Sequence, residues 1–155
     1  MTEEVTVCEV KEATADVLAN VNRLMPQLTT RAKTLPMSYL ETLIANPYVH
    51  LYFIFSAGSQ PVGMGTLCLC SSPIGVKAWI EDVVIEESVR GMGFGRKLVL
   101  FLRQQAELLG AKAVVLTSRP HRVAANRLYA SLGFEQCDTN VYRYTTESGQ
   151  QINNK

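Results

Sequence analysis

No apolar run in this 155-residue chain approaches the ~20 residues that cross a bilayer, which excludes a transmembrane helix. The opening residues Met1-Thr2-Glu3-Glu4 are acidic and no apolar signal region follows, so the chain reads as soluble and cytoplasmic. Cys8, Cys68, Cys70 and Cys137 form no C-x-x-C pair, and with only His50 and His121 the zinc-ligand spacings are missing; buried thiols and no metal are expected. Neither sign of charge is in excess. Fifteen Lys and Arg against 14 Asp and Glu leave a net +1, which gives nucleic acid or an anionic membrane no long-range attraction, so any cationic site has to be local. Internal repeats, low-complexity tracts and linkers are also missing, and the length suits one domain over 1–155, with the last ~10 residues as a tail.

What is present is a 47% hydrophobic content, arranged in two successive periods. Thr6–Val10 reads as a strand, and Ala13–Met25 as a helix stopped near Pro26, since proline cannot continue the hydrogen-bond ladder. After a polar stretch from Gln27 to Met37, Ser38-Tyr39-Leu40-Glu41 makes a capping box for a second helix that Asn46-Pro47 ends, with Tyr39, Leu40, Leu43 and Ile44 on its buried side. From His50 the pattern becomes β-rich: His50–Ser56, Val62–Cys70 and Lys77–Ile85, joined by the turns Ala57–Gln60 and Ser71–Gly75, imply three antiparallel strands. Leu98, Leu102, Ala106 and Leu109 then recur at helical spacing, Gly110 supplies a stop, and Ala113–Thr117 is a short apolar strand. Strand, helix, strand implies a parallel pair. Arg122–Leu132 reads as a last helix ended by Gly133, and Thr139–Tyr144 as a late strand. The class is a mixed, mostly antiparallel α/β sheet, parallel where the fifth strand joins the fourth, flanked by about four helices.

Between the fourth strand and its helix lies Arg90-Gly91-Met92-Gly93-Phe94-Gly95-Arg96. Glycines at alternate positions allow positive φ and close approach, so that successive N–H groups and the positive end of the helix dipole can hold a phosphate. The dinucleotide fingerprint would need glycine at Arg96, and a Walker A loop starting at Gly91 would need it there too, with a hydroxyl where Leu98 follows Lys97. Both fail on spacing.

The pattern R-x-x-G-x-G after a strand resembles the pyrophosphate loop of the GNAT acetyltransferase superfamily. The likeness takes in Trp79-Ile80-Glu81-Asp82-Val83-Val84-Ile85 upstream and Arg127-Leu128-Tyr129-Ala130-Ser131-Leu132-Gly133-Phe134 downstream, over roughly residues 49–145. It implies a GNAT acyl-CoA acyltransferase fold in which the parallel fourth and fifth strands splay apart and acetyl-CoA, as co-substrate, lays its thioester arm in the gap. By that resemblance the backbone of Val83, Val84 and Ile85 takes the arm as an extra strand, and Arg90, Gly91, Met92, Gly93, Phe94, Gly95 and Arg96 hold the pyrophosphate. One N–H, of Val83 or Val84, would point at the thioester carbonyl and stabilise the charge that develops there.

The implied acceptor is an amine, protonated at neutral pH, so a base is needed. Ile80-Glu81-Asp82-Val83 resembles the acidic strand of glucosamine-phosphate acetyltransferases. Strand alternation sends Glu81 and Asp82 to opposite faces; Glu81 is favoured as base, with Asp82 as the alternative and simple pairing with basic side chains as the bland reading. Tyr129, in Leu128-Tyr129-x-x-x-Gly133-Phe134, matches the family's tyrosine that protonates the departing thiolate, against the plainer role of a packing aromatic. Where the family often carries asparagine seven residues before this tyrosine the chain has Arg122, and Asn126 lies three before it. These three share one helical face; Asn126 is assigned to the pantetheine and Arg122 to a coenzyme phosphate, against solvated or capping roles. The family draws its acceptor pocket from segments corresponding to Gln27–Tyr39 and Asn140–Tyr144, where Arg31, Lys33 and Arg143 are candidates for an anionic acceptor. Members often pair through late strands, which leaves a homodimer open. The function implied is an acetyl-CoA-dependent N-acetyltransferase working by direct attack in a ternary complex; the alternative is a noncatalytic acyl-CoA sensor.

Overall fold

In the computed structural model, which describes residues 4–149, the chain divides into two compact units meeting between Arg119 and Pro120. Most of the acidic N-terminal tetrapeptide and of the expected tail lies outside the described residues.

The first unit is built on a five-stranded sheet in the order β1-β2-β3-β4-β5: Thr6–Glu9, Val49–Phe55, Pro61–Ser72, Gly75–Ile85 and Ala113–Val115. The first three pairings are antiparallel and β4–β5 is parallel, in the expected arrangement. Helices α1 (Ala15–Leu28) and α2 (Met37–Ala45) cover one face. Val21 and Leu24 of α1 and Leu40 of α2 bury there against Leu51, Phe53, Met64 and Val84. Helix α3 (Phe94–Leu108) covers the other, with Leu98, Val99, Leu102 and Ala106 fully buried, and Phe101 meeting Tyr52 edge-on at 5.4 Å between ring centres. Each such leucine stabilises the fold by about 1.5–3 kcal/mol relative to an exposed one, so the helical period read from Leu98, Leu102 and Ala106 accounts for the seat of α3.

Four expectations need correction. The thiols are not buried: Cys8, Cys70 and Cys137 are exposed and Cys68 is half-buried. Helix α1 does not stop at Pro26 but runs on to Leu28. Proline removes only its own N–H bond, and the extra turn is held from outside the helix, because Gln27 accepts bonds from Glu87 and Arg90. Helix α2 starts at Met37 behind Pro36 with no side-chain cap, so Ser38 lies inside the first turn and the capping box does not form. Proline before the first turn already presets the backbone. Tyr39, expected on the buried side, is 55% exposed, while its neighbour Leu40 is fully buried.

The second unit contains α4 (Val123–Ser131) and a connection without regular structure from Glu135 to Thr146. The late strand expected over Thr139–Tyr144 does not form, and Val141, Tyr142 and Tyr144 are exposed. A β pattern becomes a strand only beside another strand, and the described residues of this unit offer none.

Candidate active site

Strand β4 changes character halfway. From Gly75 to Ile80 it pairs with β3 residue for residue, and Lys77, Ala78 and Trp79 also pair with Ala113, Val114 and Val115. There the β5 pairing stops, although β4 runs on for six residues, which is the opening expected of splayed strands. On the β3 side the register slips: Thr66 lies opposite Glu81 and Met64 opposite Val84, so Gly65 alone faces both Asp82 and Val83. That is a β-bulge.

The bulge breaks the regular alternation of β4 just after Glu81. Asp82 is the inserted residue, with φ +52°, the sole non-glycine residue at positive φ among those described. The insertion moves Val84 onto the α1/α2 face, where it packs with Met64, while a Cβ at Gly65 would meet Val83 together with Leu98 and Leu102 of α3. Glu81 precedes the slip and pairs with Thr66, which keeps it on the α1/α2 side. Aspartate suits the inserted position, because its short polar side chain tolerates left-handed backbone better than a branched one does.

Glu81 and Asp82 both remain accessible, and no salt bridge to either occurs among the described residues. Partial desolvation pushes both carboxyls above their ordinary range, and for Glu81 the neighbouring Asp82 charge adds to the rise. Cys68 is pushed up as well, by burial and then by these two charges, so all three groups share one neighbourhood of the sheet. A carboxylate with raised proton affinity and no cation beside it is suited to receive a proton from an amine.

Beyond Ile85 a short 3-10 turn, Glu87–Val89, intervenes before the glycine loop. Gly91 and Gly93 take φ +79° and +88°, and a Cβ at either would meet nothing within 4 Å; the turn needs glycine for its backbone, and the space over it is open. Gly95 differs from that expectation. It lies in the first turn of α3, outside the positive-φ positions. Gly93 caps α3 without a side-chain hydrogen bond, so the start of α3 keeps the positive end of its helix dipole uncapped by a side chain, which suits a diphosphate. Met92 stands 61% exposed on the loop. Arg90 is committed inward: its Nε donates to the Ile85 carbonyl at 3.0 Å and its Nη2 to the Gln27 carbonyl at 3.1 Å. The loop and helix end fit a coenzyme diphosphate through main-chain groups, with Arg90 holding the loop in shape.

In the second unit, the downstream motif explains itself locally. Gly133 at φ +89° ends α4; its N–H bonds the Ala130 carbonyl at 3.1 Å and that of Phe134 bonds Tyr129 at 3.0 Å. This paired closure folds Phe134 back, so that its ring meets Tyr129 edge-on at 6.1 Å. Glycine and phenylalanine together therefore fix the Tyr129 ring. Burial pushes the Tyr129 phenol up and Arg122 pulls it partly back, so the group keeps its proton at neutral pH. Arg122 sits at the N-cap of α4 without capping it by its side chain, and the Asn126 amide reaches the Pro120 carbonyl at 3.5 Å.

Sequence reasoning missed Gly63 and Gly65 of β3: Gly63 lets the bulged half of β4 lie close, and Gly65, opposite the bulge, makes room for Leu102 of α3. A Cβ at Gly63 would stand 2.6 Å from Ile85 Cδ1 and 2.7 Å from the Val84 carbonyl oxygen. Their signal was present as two glycines at alternate positions inside a β run, the mark of close backbone approach.

No curated protein matches the chain in sequence. Among solved structures, a transcriptional regulator from Bacillus halodurans C-125 shares 24% identity at a TM-score of 0.78, covering 91% of this chain and 99% of its own. Glucosamine-6-phosphate N-acetyltransferase from Arabidopsis thaliana shares 20% at 0.77, covering 93% and 100%. An aminoglycoside acetyltransferase from an uncultured soil metagenomic sample shares 16% at 0.80, covering 92% and 95%. At such identities the likeness is one of fold. The Acetyltransferase (GNAT) family profile, in contrast, matches residues 19–134, three quarters of the sequence and all of the β4, loop and α4 features above, and the chain belongs to the GNAT acetyltransferase family.

Proposed function

We propose that the protein transfers the acetyl group of acetyl-CoA to a primary amine by direct attack within a ternary complex. The observation that carries this is the second half of β4, which joins an opened sheet edge, a pair of carboxyls with raised proton affinity and an uncapped helix start behind two positive-φ glycines. The family profile crosses the boundary at Arg119, which supports treating both units as parts of one catalytic domain.

Acetyl-CoA, when bound, supplies an activated thioester. The main-chain groups of Val83, Val84 and Ile85 hold the arm along the sheet edge, and those of Gly91 to Arg96 hold the diphosphate, with Arg90 bracing the loop. Glu81 accepts the proton of the attacking amine, directly or through water, and Asp82 tunes it. A Val83 or Val84 N–H stabilises negative charge on the acyl oxygen. Tyr129 protonates the departing sulfur, and Asn126 and Arg122 contact the coenzyme from α4. Burial and the charges of Glu81 and Asp82 push the Cys68 thiol up, which disfavours the thiolate that a covalent relay at this cysteine, the one nearest the acids, would need.

The test is thiol release from acetyl-CoA over a panel of amines. A turnover above background with at least one amine is expected, and binding of coenzyme A without release from any would make the protein a sensor instead. Tyr129→Phe should lower kcat by about 10- to 100-fold with the melting temperature unchanged. An unaltered kcat would return Tyr129 to a packing role.

A further inference from the structure

The carboxyl-terminal turn of α1 reaches across to the start of the coenzyme loop. The Gln27 side-chain oxygen accepts from the Glu87 N–H at 2.8 Å, and the Gln27 carbonyl accepts from Arg90 Nη2 at 3.1 Å. One turn earlier, Arg23 Nη1 pairs with Glu86 at 2.7 Å while its Nη2 donates to the Pro61 carbonyl at 2.6 Å. The spacing of four puts Arg23 and Gln27 on one side of the helix, and both grip the segment 86–90 that ends at Gly91. Helix-end carbonyls have no partner inside the helix, which is why that of Gln27 is available to Arg90.

We propose that Gln27, supported by Arg23, is a positioning residue for the pyrophosphate loop: α1 supplies the fixed point that sets Gly91, Gly93 and the first turn of α3 before the coenzyme arrives. Arg90 is the link, because its guanidinium joins the last carbonyl of β4, that of Ile85, to α1. A turn built on two positive-φ glycines has little intrinsic preference for one shape, so it needs such a brace to hold its N–H groups in register. The opposite side of α1 is itself pinned, since Asn22 exchanges bonds with the Leu35 backbone at 2.7 and 3.1 Å. This inference rests on the coenzyme reading above.

The test compares Gln27→Leu, which keeps bulk and the main-chain carbonyl for Arg90 but loses the side-chain acceptor for the Glu87 N–H, with Gln27→Glu, which keeps a side-chain acceptor oxygen. Calorimetric titration of the full chain with coenzyme A should show affinity about tenfold weaker for Gln27→Leu and within about twofold of wild type for Gln27→Glu. Affinity for pantetheine, which has no diphosphate, should not change, whereas general damage to the fold would weaken both. Amide exchange at Gly91–Arg96 without ligand should quicken in Gln27→Leu. Equal coenzyme A affinity and equal exchange in Gln27→Leu and wild type would overturn Gln27 as a positioning residue while leaving the coenzyme reading intact. Failure of the wild type to bind coenzyme A would overturn the coenzyme reading and this inference with it.

Discussion

The two halves of β4 are made of similar residues and do different work. Gly75–Ile80 is paired on both edges over its middle, alternates regularly and buries Ala78 and Ile80. Glu81–Ile85 has lost β5, carries the bulge and a positive-φ aspartate, and faces glycines on β3 instead of the Leu67, Cys68 and Leu69 that line the first half. The regular half fixes where the irregular one begins. On the proposed reading, the chemistry falls where the sheet stops satisfying itself: main-chain groups that regular pairing would consume are left for a ligand, and two carboxyls lose part of their water without gaining a cation.

The largest effect should come from removing the acid that sits at the junction. Glu81→Gln is expected to lower kcat/KM at neutral pH by about 10²- to 10³-fold, with the rate recovering as pH approaches the pKa of the acceptor amine. Lys77→Ala, in the regular half, should leave kcat/KM within about twofold. Equal losses for both would erase the functional distinction between the halves.

Next is the close approach that the bulged half demands of β3. Gly63→Ala places a methyl 2.7 Å from the Val84 main-chain oxygen, which cannot swing away as a side chain can, so a loss of about 1–3 kcal/mol in unfolding free energy is expected. Gly58→Ala, where a Cβ meets nothing within 4 Å, should be near neutral. Chemical denaturation of the two variants checks this pair.

How much of this was legible in the sequence follows from the same contrast. Strand order, the parallel β4–β5 pair, the seat of α3 and the glycine loop came through, because period, turn residues and connection length determine them locally. The two acids were read from the motif, whereas the bulge beside them was not, since Ile80-Glu81-Asp82-Val83 reads as regular alternation and the register slip shows only against Gly65 of β3. Helix α1 overran Pro26 for a similar reason: its last turn is held by Glu87 and Arg90, some sixty residues away in sequence. The missing late strand over Thr139–Tyr144 shows the converse, a good local β pattern with no partner beside it in its own unit.

The smallest effects concern charge at the bulge, and their signs follow from the raised proton affinities. Asp82→Asn keeps a residue that tolerates left-handed backbone, whereas Asp82→Ala should cost about 1 kcal/mol from strain at φ +52°, so the asparagine variant isolates the charge. Asp82 raises the affinity of Glu81 for its proton; without that charge Glu81 ionises more readily, and the acid limb of kcat/KM should move to lower pH. A limb that stays in place would mean that Glu81 is not the group being titrated. The same shifts bear on stability. A carboxyl whose folded pKa lies above its unfolded value favours folding only while protonated, so its contribution is complete below the unfolded pKa and is lost as pH rises through the folded one. At pH 7 Glu81→Gln should therefore melt slightly higher than wild type, by ~1 °C after allowance for the solvent around this accessible group, and the difference should vanish in acid below the ordinary glutamate range. A gain that persisted unchanged in acid would trace to packing and leave the partly desolvated, cation-free setting of Glu81 without thermodynamic support.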